Sequence, residues 1–305
     1  MKIAIAGGTG FVGRALTEAL LRQGHEVTVL TRAGSRNRVV SEATHLAEYE
    51  PTKPGPWQQA IANSEATINL AGTSIFRRWS PRAKRDIVDS RVLPTTHIVE
   101  ALTCREHGEA HLLNVSGIGY YGFGGDDILD ETSLYGSDFL ARVALQWESA
   151  AISAGESGVR VVLCRLGHVL GPGGGALRKL ATLTRLHLGS QWGDGRQWLS
   201  WVHHRDMTDM FLFLLEHKEL KGAFNLTAPN PARNEEMLTA LGRSLGKTAY
   251  VPPIPAFLLR LLLGEFATVF LNGQRIRPTR MLDSGFRFSY SRLDEALEDI
   301  LKRSN

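Results

Sequence analysis

Cysteine is nearly absent: Cys104 and Cys164 are the only two in 305 residues. They are too few for a disulfide framework and too far apart for a metal-ligand spacing. A reducing compartment suits such a chain, and a cytoplasmic location is expected. A charged-then-apolar leader is not expected either, because Gly7 and Gly8 interrupt the first apolar run. So is a run long enough to span a bilayer. The most apolar later stretch, "AFLLRLLLGEF", is short and carries Arg260, so no membrane partner is expected. Nor is there a basic tract with interleaved aromatics. The net charge is +4 and the pI about 9.2, but the arginines are scattered, and nucleic acid is not expected as a partner. Repeats and low-complexity tails are absent. One further gap bears on chemistry: no lysine occurs between Lys84 and Lys179.

What remains is the composition of a soluble globular chain, 43% hydrophobic and 22% charged, long enough for one large domain or two coupled ones. "KIAIAG" reads as a buried strand and "FVGRALTEALLRQG" as a helix ending at Gly24. "HEVTVLTR", a short piece near "HLAEY", "ATINLAG", "HLLNVSG" and "VRVVLCRLG" read as further strands. Between them lie helical patterns, including one long helix from Ser80 in which Pro94 predicts a kink or break. This alternation predicts an α/β fold: a Rossmann-type, doubly wound parallel sheet with right-handed crossovers. After Gly167 the pattern loosens, and from Asn230 it is mostly helical. Residues 1–167 are expected to form the nucleotide-binding domain, with 197–228 returning to it. Residues 168–196 and 229–305 are expected to form a smaller, mainly helical substrate-side domain.

The stretch "GGTGFVG" places Gly7, Gly10 and Gly13 at a spacing of three between a strand and a helix. The first glycine permits the tight turn, the second lets the backbone approach a pyrophosphate, and the third lets helix and strand pack closely. The helix then points free N–H groups at the phosphates. An acidic residue at the end of the second strand would serve NAD by accepting from its ribose hydroxyls. This chain has Thr31 and Arg32 there, followed by Arg36 and Arg38. A guanidinium suits the 2′-phosphate, so NADP(H) is the expected cofactor.

Several spaced blocks carry a wider resemblance. "GGTGFVG", "NLAG" at Asn69 to Gly72 and "GDGRQWLSWVHHRDM" resemble the extended short-chain dehydrogenase/reductases. "RRWSPRAKRDIVDSR", "SGIGYYG", "LGPGGGAL" and "AFNLTAPNPARNEEM" are similar to its atypical, YfcH-like branch, called the epimerase family. By that resemblance the cofactor contacts Gly7, Thr9, Gly10, Phe11 and Val12, and Thr31 and Arg32 hold its adenosine phosphate end. Leu70, Ala71 and Gly72 pass along it, Asp86 and Arg91 lie near it, and Val169 sits beside the nicotinamide. A carboxylate repels phosphate, so Asp86 is expected at a ribose or as an orienter of Arg91.

The superfamily's Tyr-x-x-x-Lys pair is missing. In the register set by Glu148, its two positions carry Leu140 and Ala144. In place of the usual Ser or Thr stands Gly117, with Ser116 one residue earlier. Ser116, Tyr120 and Tyr121 are therefore the catalytic candidates. Ser116 reads equally as a strand-end serine, and the tyrosines equally as aromatic walls. Asp138 and Glu148 read as a solvated helix face. Arg196, Gln197 and Trp198 are candidates to face the substrate, and the "GPGGGAL" loop reads as an anion-binding helix start or a connector. Adjacent histidines in an extended segment point to opposite faces, so His203 and His204 make a poor ligand pair and no metal is expected. Two functions remain open. One is an NADP(H)-dependent oxidoreductase or epimerase on a small polar substrate; the other is an NADP(H)-sensing protein without catalysis. Oligomeric state stays open, a homodimer included.

Overall fold

The structure, a computed structural model, describes residues 1–32, 34, 41–105, 109–247 and 252–302. The apolar run after Met1 forms β1 (Lys2–Ala6), whose last four residues are buried. The glycine turn leads into α1 (Phe11–Arg22), which buries Gly13, Leu16, Thr17 and Leu20 along one face. Then come β2 (Glu26–Thr31), β3 (His45–Glu48), α2 (Gln58–Ala62) and β4 (Ala66–Asn69). Next, α3 (Pro81–Thr103) is capped by the Ser80 side chain, which accepts from the Ala83 N–H. It is followed by β5 (His111–Gly117), β6 (Ile128–Leu129), α4 (Phe139–Ile152) and β7 (Arg160–Leu166).

The later part contains β8 (His168–Leu170), α5 (Gly175–Arg185), β9 (Trp198–Leu199), β10 (Trp201–His203), α6 (His204–Glu216) and β11 (Gly222–Leu226). It ends with β12 (Ala232–Arg233), α7 (Asn234–Ser244), α8 (Ala256–Leu263), α9 (Thr268–Leu271), β13 (Arg275–Ile276), α10 (Thr279–Asp283) and α11 (Leu293–Lys302).

Seven strands form one parallel sheet in the order β11-β7-β5-β4-β1-β2-β3. The chain leaves β1 in one direction for β2 and β3, then returns to the other side for β4. This reversal opens a crevice at the carboxyl ends of β1 and β4, the place where doubly wound sheets take ligands. Cores lie on the sheet, one including Ile3, Ile5, Leu16, Val162 and Phe211, another including Ala4, Trp57, Ile98 and Leu163. A third core joins Leu177, Trp201, Leu241 and Ile300 from the later elements. Among the described residues no helix is long and apolar enough to cross a membrane.

Of the kink or break expected at Pro94, the break does not occur: the helix α3 runs through it. Proline removes one intrahelical donor, but side chains cover neighbouring carbonyls. Thr95 Oγ1 donates to Arg91 O at 2.7 Å, and Arg91 Nη1 donates to Ile87 O at 2.9 Å.

Candidate functional site

The glycine turn is built as its spacing requires. Gly7 has φ +82°, and a side chain on it would meet the Leu70 carbonyl. A Cβ at Gly13 would lie 2.4 Å from Gly7 O, so this residue must be glycine for α1 to close on the turn. A Cβ at Gly10 would meet only Gly7 O, at 3.3 Å. The backbone at Gly10 is thus open on its outer side, at the start of α1, where a phosphate would approach. Thr9 and Phe11 flank it, both half-buried. The glycine loop after Leu170 closes over Phe11: a Cβ at Gly174 would collide with that ring at 2.2 Å. This contact assigns the "GPGGG" stretch a packing role.

Asn69, the first residue of "NLAG", fixes the neighbouring turn. Its amide donates to Thr95 Oγ1 at 2.8 Å and Asn114 Oδ1 at 2.6 Å, while its oxygen accepts from Ala71 N at 3.1 Å. Trp147 Nε1 completes this buried network with a 2.9 Å bond to Thr95 Oγ1. Leu70, Ala71 and Gly72 are thereby held across from Val12.

A cavity of about 450 Å³ opens beside these turns. Val12, Leu70, Ala71, Gly72, Arg91, Ser116 and Val169 line it, so the fold brings seven of the expected residues around one space. Leu140 and Ala144 line it too. The positions expected for Tyr and Lys are in the wall, and they are apolar. Arg91 donates through Nη2 to Thr73 O at 3.0 Å and faces the Trp147 ring at 5.2 Å; burial pushes its pKa down to about 10. Ser116 is 1% exposed at the end of β5, and its Oγ has no partner among the described residues. Three polar residues that the sequence reading missed also line the cavity: His168, Asn272 and Gln274. His168 Nδ1 faces Ser200 O at 3.3 Å, and burial holds its pKa below the usual histidine value. Its place directly after Gly167, at a strand end, was the available signal; Asn272 and Gln274 arrive from distant sequence and gave none.

Thr31 is buried at the end of β2, beside β1, and Arg32 is exposed there. Arg36 and Arg38 lie outside the described residues. Other expected residues are not at the cavity. Asp86 pairs with Arg77 Nη2 at 3.2 Å, so it orients that arginine and not Arg91. Neither Tyr120 nor Tyr121 is in the cavity wall. The Tyr121 hydroxyl donates to Asn225 Oδ1 at 2.7 Å and accepts from Arg165 Nη1 at 2.9 Å. Burial pushes its pKa up to about 12. The Arg165 guanidinium lies over the Tyr120 ring at 3.4 Å. Both tyrosines therefore serve the Arg165 cluster, and the geometry leaves Ser116 as the catalytic candidate in the cavity.

Trp198 donates to Asp126 Oδ1 at 2.7 Å and is flanked by Arg233 and Arg275. It lines a separate groove of about 380 Å³ with Arg275 and Arg277. The Arg196 carbonyl accepts from Arg233, and Gln197 is buried, donating to Trp192 O at 3.0 Å and Phe270 O at 2.6 Å. None of the three lines the cavity beside Ser116. A larger, open groove of about 620 Å³ lies along α7 and the start of α11, away from every expected residue.

Three further expectations are corrected. Glu148 is 3% exposed and takes a bidentate pair from Arg165 at 2.9 and 2.8 Å. Asp138 caps α4, accepting from Ala141 N at 3.0 Å. His203 and His204 do not point apart, because the strand ends at His203 and α6 begins at His204. Their rings lie 4.6 Å apart, and their nitrogens and an Asp299 oxygen lie within 4.8 Å of one another. His203 Nδ1 accepts from Arg205 N at 3.2 Å, and its Nε2 faces Asp299 Oδ2 at 3.4 Å.

A parallel sheet with a glycine turn at its switch point, closed by helical elements over a strand-end cavity, defines a Rossmann-type protein of the extended short-chain dehydrogenase/reductase class. Comparison with known proteins gives the family. The pattern of the NAD dependent epimerase/dehydratase family matches residues 3–227, and that of a domain of unknown function, DUF1731, matches residues 254–300. The chain belongs to this epimerase family. It is 37% identical over 305 residues to an Arabidopsis thaliana protein described as an epimerase family protein SDR39U1 homolog, chloroplastic, covering 99% of this chain and 87% of that one. It is 38% identical over 301 residues to the epimerase family protein Mb2239 of Mycobacterium bovis, covering 97% and 96%. The crystal structure of human epimerase family protein SDR39U1 with NADPH superposes with a TM-score of 0.86 at 32% identity, covering 99% of both chains.

Proposed function

We propose that this chain binds NADP(H) and acts on a small-molecule substrate as an oxidoreductase or epimerase-like protein. The observation that carries the reading is the open backbone at Gly10, at the α1 start and the sheet's switch point. The NADPH held by the human relative supports it. Gly7, Gly10 and the first turn of α1 would hold the pyrophosphate, and Arg32 would pair with the 2′-phosphate. Leu70 to Gly72 would flank the cofactor's path toward Val169. Bound NADPH supplies a hydride. On the protein side, Ser116 Oγ offers a hydrogen bond to an oxygen in the cavity, while Leu140 and Ala144 exclude water from the wall and supply no proton.

The same two residues favour a second reading, an NADP(H)-sensing protein without turnover. Consumption of NADPH with a panel of aldehydes, ketones, quinones and nucleotide sugars separates the two. The cofactor reading is tested by titrating NADPH and NADH into the parent and Arg32→Ala. NADPH is expected to bind more tightly to the parent. Loss of one charge-assisted phosphate contact costs roughly 1.5–3 kcal/mol, about ten- to a hundredfold in NADPH affinity. An unchanged preference for NADPH in Arg32→Ala removes Arg32 from the site.

A further inference from the structure

The cavity wall departs from the polar substrate that the sequence reading expects. Among its described lining residues there is no Asp, Glu or Lys, and its one guanidinium, Arg91, is engaged by the Thr73 and Ile87 carbonyls. A nucleotide sugar brings a diphosphate that needs free cations, and a sugar ring that needs several polar partners. Free cations are not offered among the described lining residues, and the polar partners beyond Ser116 are His168, Asn272 and Gln274, which come from β8 and the segment after α9 and not from α4. The wall includes the apolar Ile118, Leu140, Ala144 and Leu199, together with two aromatic rings that are partly in solvent. Phe76 is 50% exposed and Phe123 is 37% exposed, although both line the cavity. An apolar ligand would remove these faces from water.

We infer that the cavity takes a largely apolar compound carrying a hydrogen-bonding oxygen, and that Leu140 and Ala144 set this specificity. The ligand's oxygen meets Ser116 Oγ, and its hydrocarbon part lies against α4 and the two phenylalanines. This inference rests on the proposed NADP(H) reading, with the cofactor on the Gly10 side of the cavity.

The test is calorimetric titration of NADP⁺-saturated protein with 2-pentanone, 2-heptanone, 2-nonanone and UDP-glucose. Burial of each added methylene is worth ~0.8 kcal/mol, so affinity should rise about fourfold per methylene along the ketone series. UDP-glucose should bind at least ~100-fold more weakly than 2-nonanone. Leu140→Asn, with its fold checked by circular dichroism, should weaken 2-nonanone about tenfold. A flat ketone series overturns the inference even if the variant fails to fold, and so does tighter binding of UDP-glucose than of 2-nonanone. Failure of the parent to bind NADP⁺ instead removes the cofactor reading, and the saturation step reports that separately.

Discussion

The first two turns of α4 and its third turn use one helix stripe in opposite ways. Leu140 and Ala144 stand four residues apart and face the cavity; Glu148, four residues further, lies on the same stripe but is buried against Arg165. In front, α4 contributes no titratable group to the wall. Behind, charge is retained and fully paired: Glu148 holds Arg165, Arg165 holds Tyr121, and Tyr121 holds Asn225. The difference teaches that buried polar residues near a cavity need not serve it. Here they brace the ends of β5, β7 and β11, and the described cavity wall keeps Ser116, the engaged Arg91 and a few neutral groups.

The largest test strikes the braced side. Glu148→Ala leaves the Arg165 guanidinium buried without its carboxylate, and breaking one partner of such a pair costs ~3–5 kcal/mol. Urea denaturation should show that loss, and a double variant that also replaces Arg165 by Met should recover part of it. A loss below ~1 kcal/mol would make the pair a surface-like one and break the contrast. Next in size is Gly10→Val. Its Cβ meets only Gly7 O at 3.3 Å, so the fold should persist by circular dichroism. The branched side chain fills the phosphate's approach, and NADPH affinity should fall by ~100-fold or more, about 2.7 kcal/mol. Equal affinity in variant and parent would show that the glycine turn holds nothing.

What was legible in the sequence follows the same division. The sheet and the glycine turn depend on local pattern: apolar runs, helix spacing, and glycines where backbone must meet backbone. Gly13 is fixed by contact with Gly7 and Gly8, only a few residues away. The Glu148–Arg165 pair joins residues 17 apart on different elements, and a helix carboxylate alone looks solvated. The available signal was Arg165 itself, a charge inside the apolar strand "VRVVLCRLG" that demands a counter-charge. Trp198 lines a groove apart from the Ser116 cavity, because proximity in sequence to the cavity strand does not say which groove a side chain enters. Strand alternation does not hold for His203 and His204, because it ends where α6 begins.

A smaller effect separates the buried histidine from these clusters. Burial and His204 hold His203 at about 3, against an ordinary value of 6.5. Between those values the unfolded chain binds the proton and the folded chain does not. Stability from this group is therefore complete above pH 6.5 and is lost as pH falls toward 3. From pH 7 to pH 5 the loss amounts to about 2 kcal/mol. His203→Asn keeps a side-chain acceptor for the start of α6, so its stability should fall less over that range. Thermal melts across the two pH values check this; equal slopes for parent and variant would assign the acid sensitivity to other groups.

The smallest expected effect is that of Tyr120→Phe, and it bears most directly on which side of α4 does chemistry. The Tyr120 ring lies beneath the Arg165 guanidinium at 3.4 Å, and the residue is absent from the cavity wall. Phenylalanine keeps the ring under the cation and removes only the hydroxyl. Stability should change by less than ~0.5 kcal/mol, as for a substitution that breaks no buried bond. NADPH affinity, and the rate with any substrate that consumes NADPH, should match the parent. Ser116→Ala gives the contrasting measurement, because it removes the one buried hydroxyl among the described lining residues; the loss of a positioned donor to a reacting oxygen is worth ~2.7–4 kcal/mol, about a hundredfold or more in rate. If Tyr120→Phe lowers turnover tenfold while its fold and NADPH affinity hold, the tyrosine reaches the substrate and the division between the two turns of α4 is wrong. If Ser116→Ala alone lowers it, chemistry belongs to the end of β5, and the aromatic pair after it belongs to the brace.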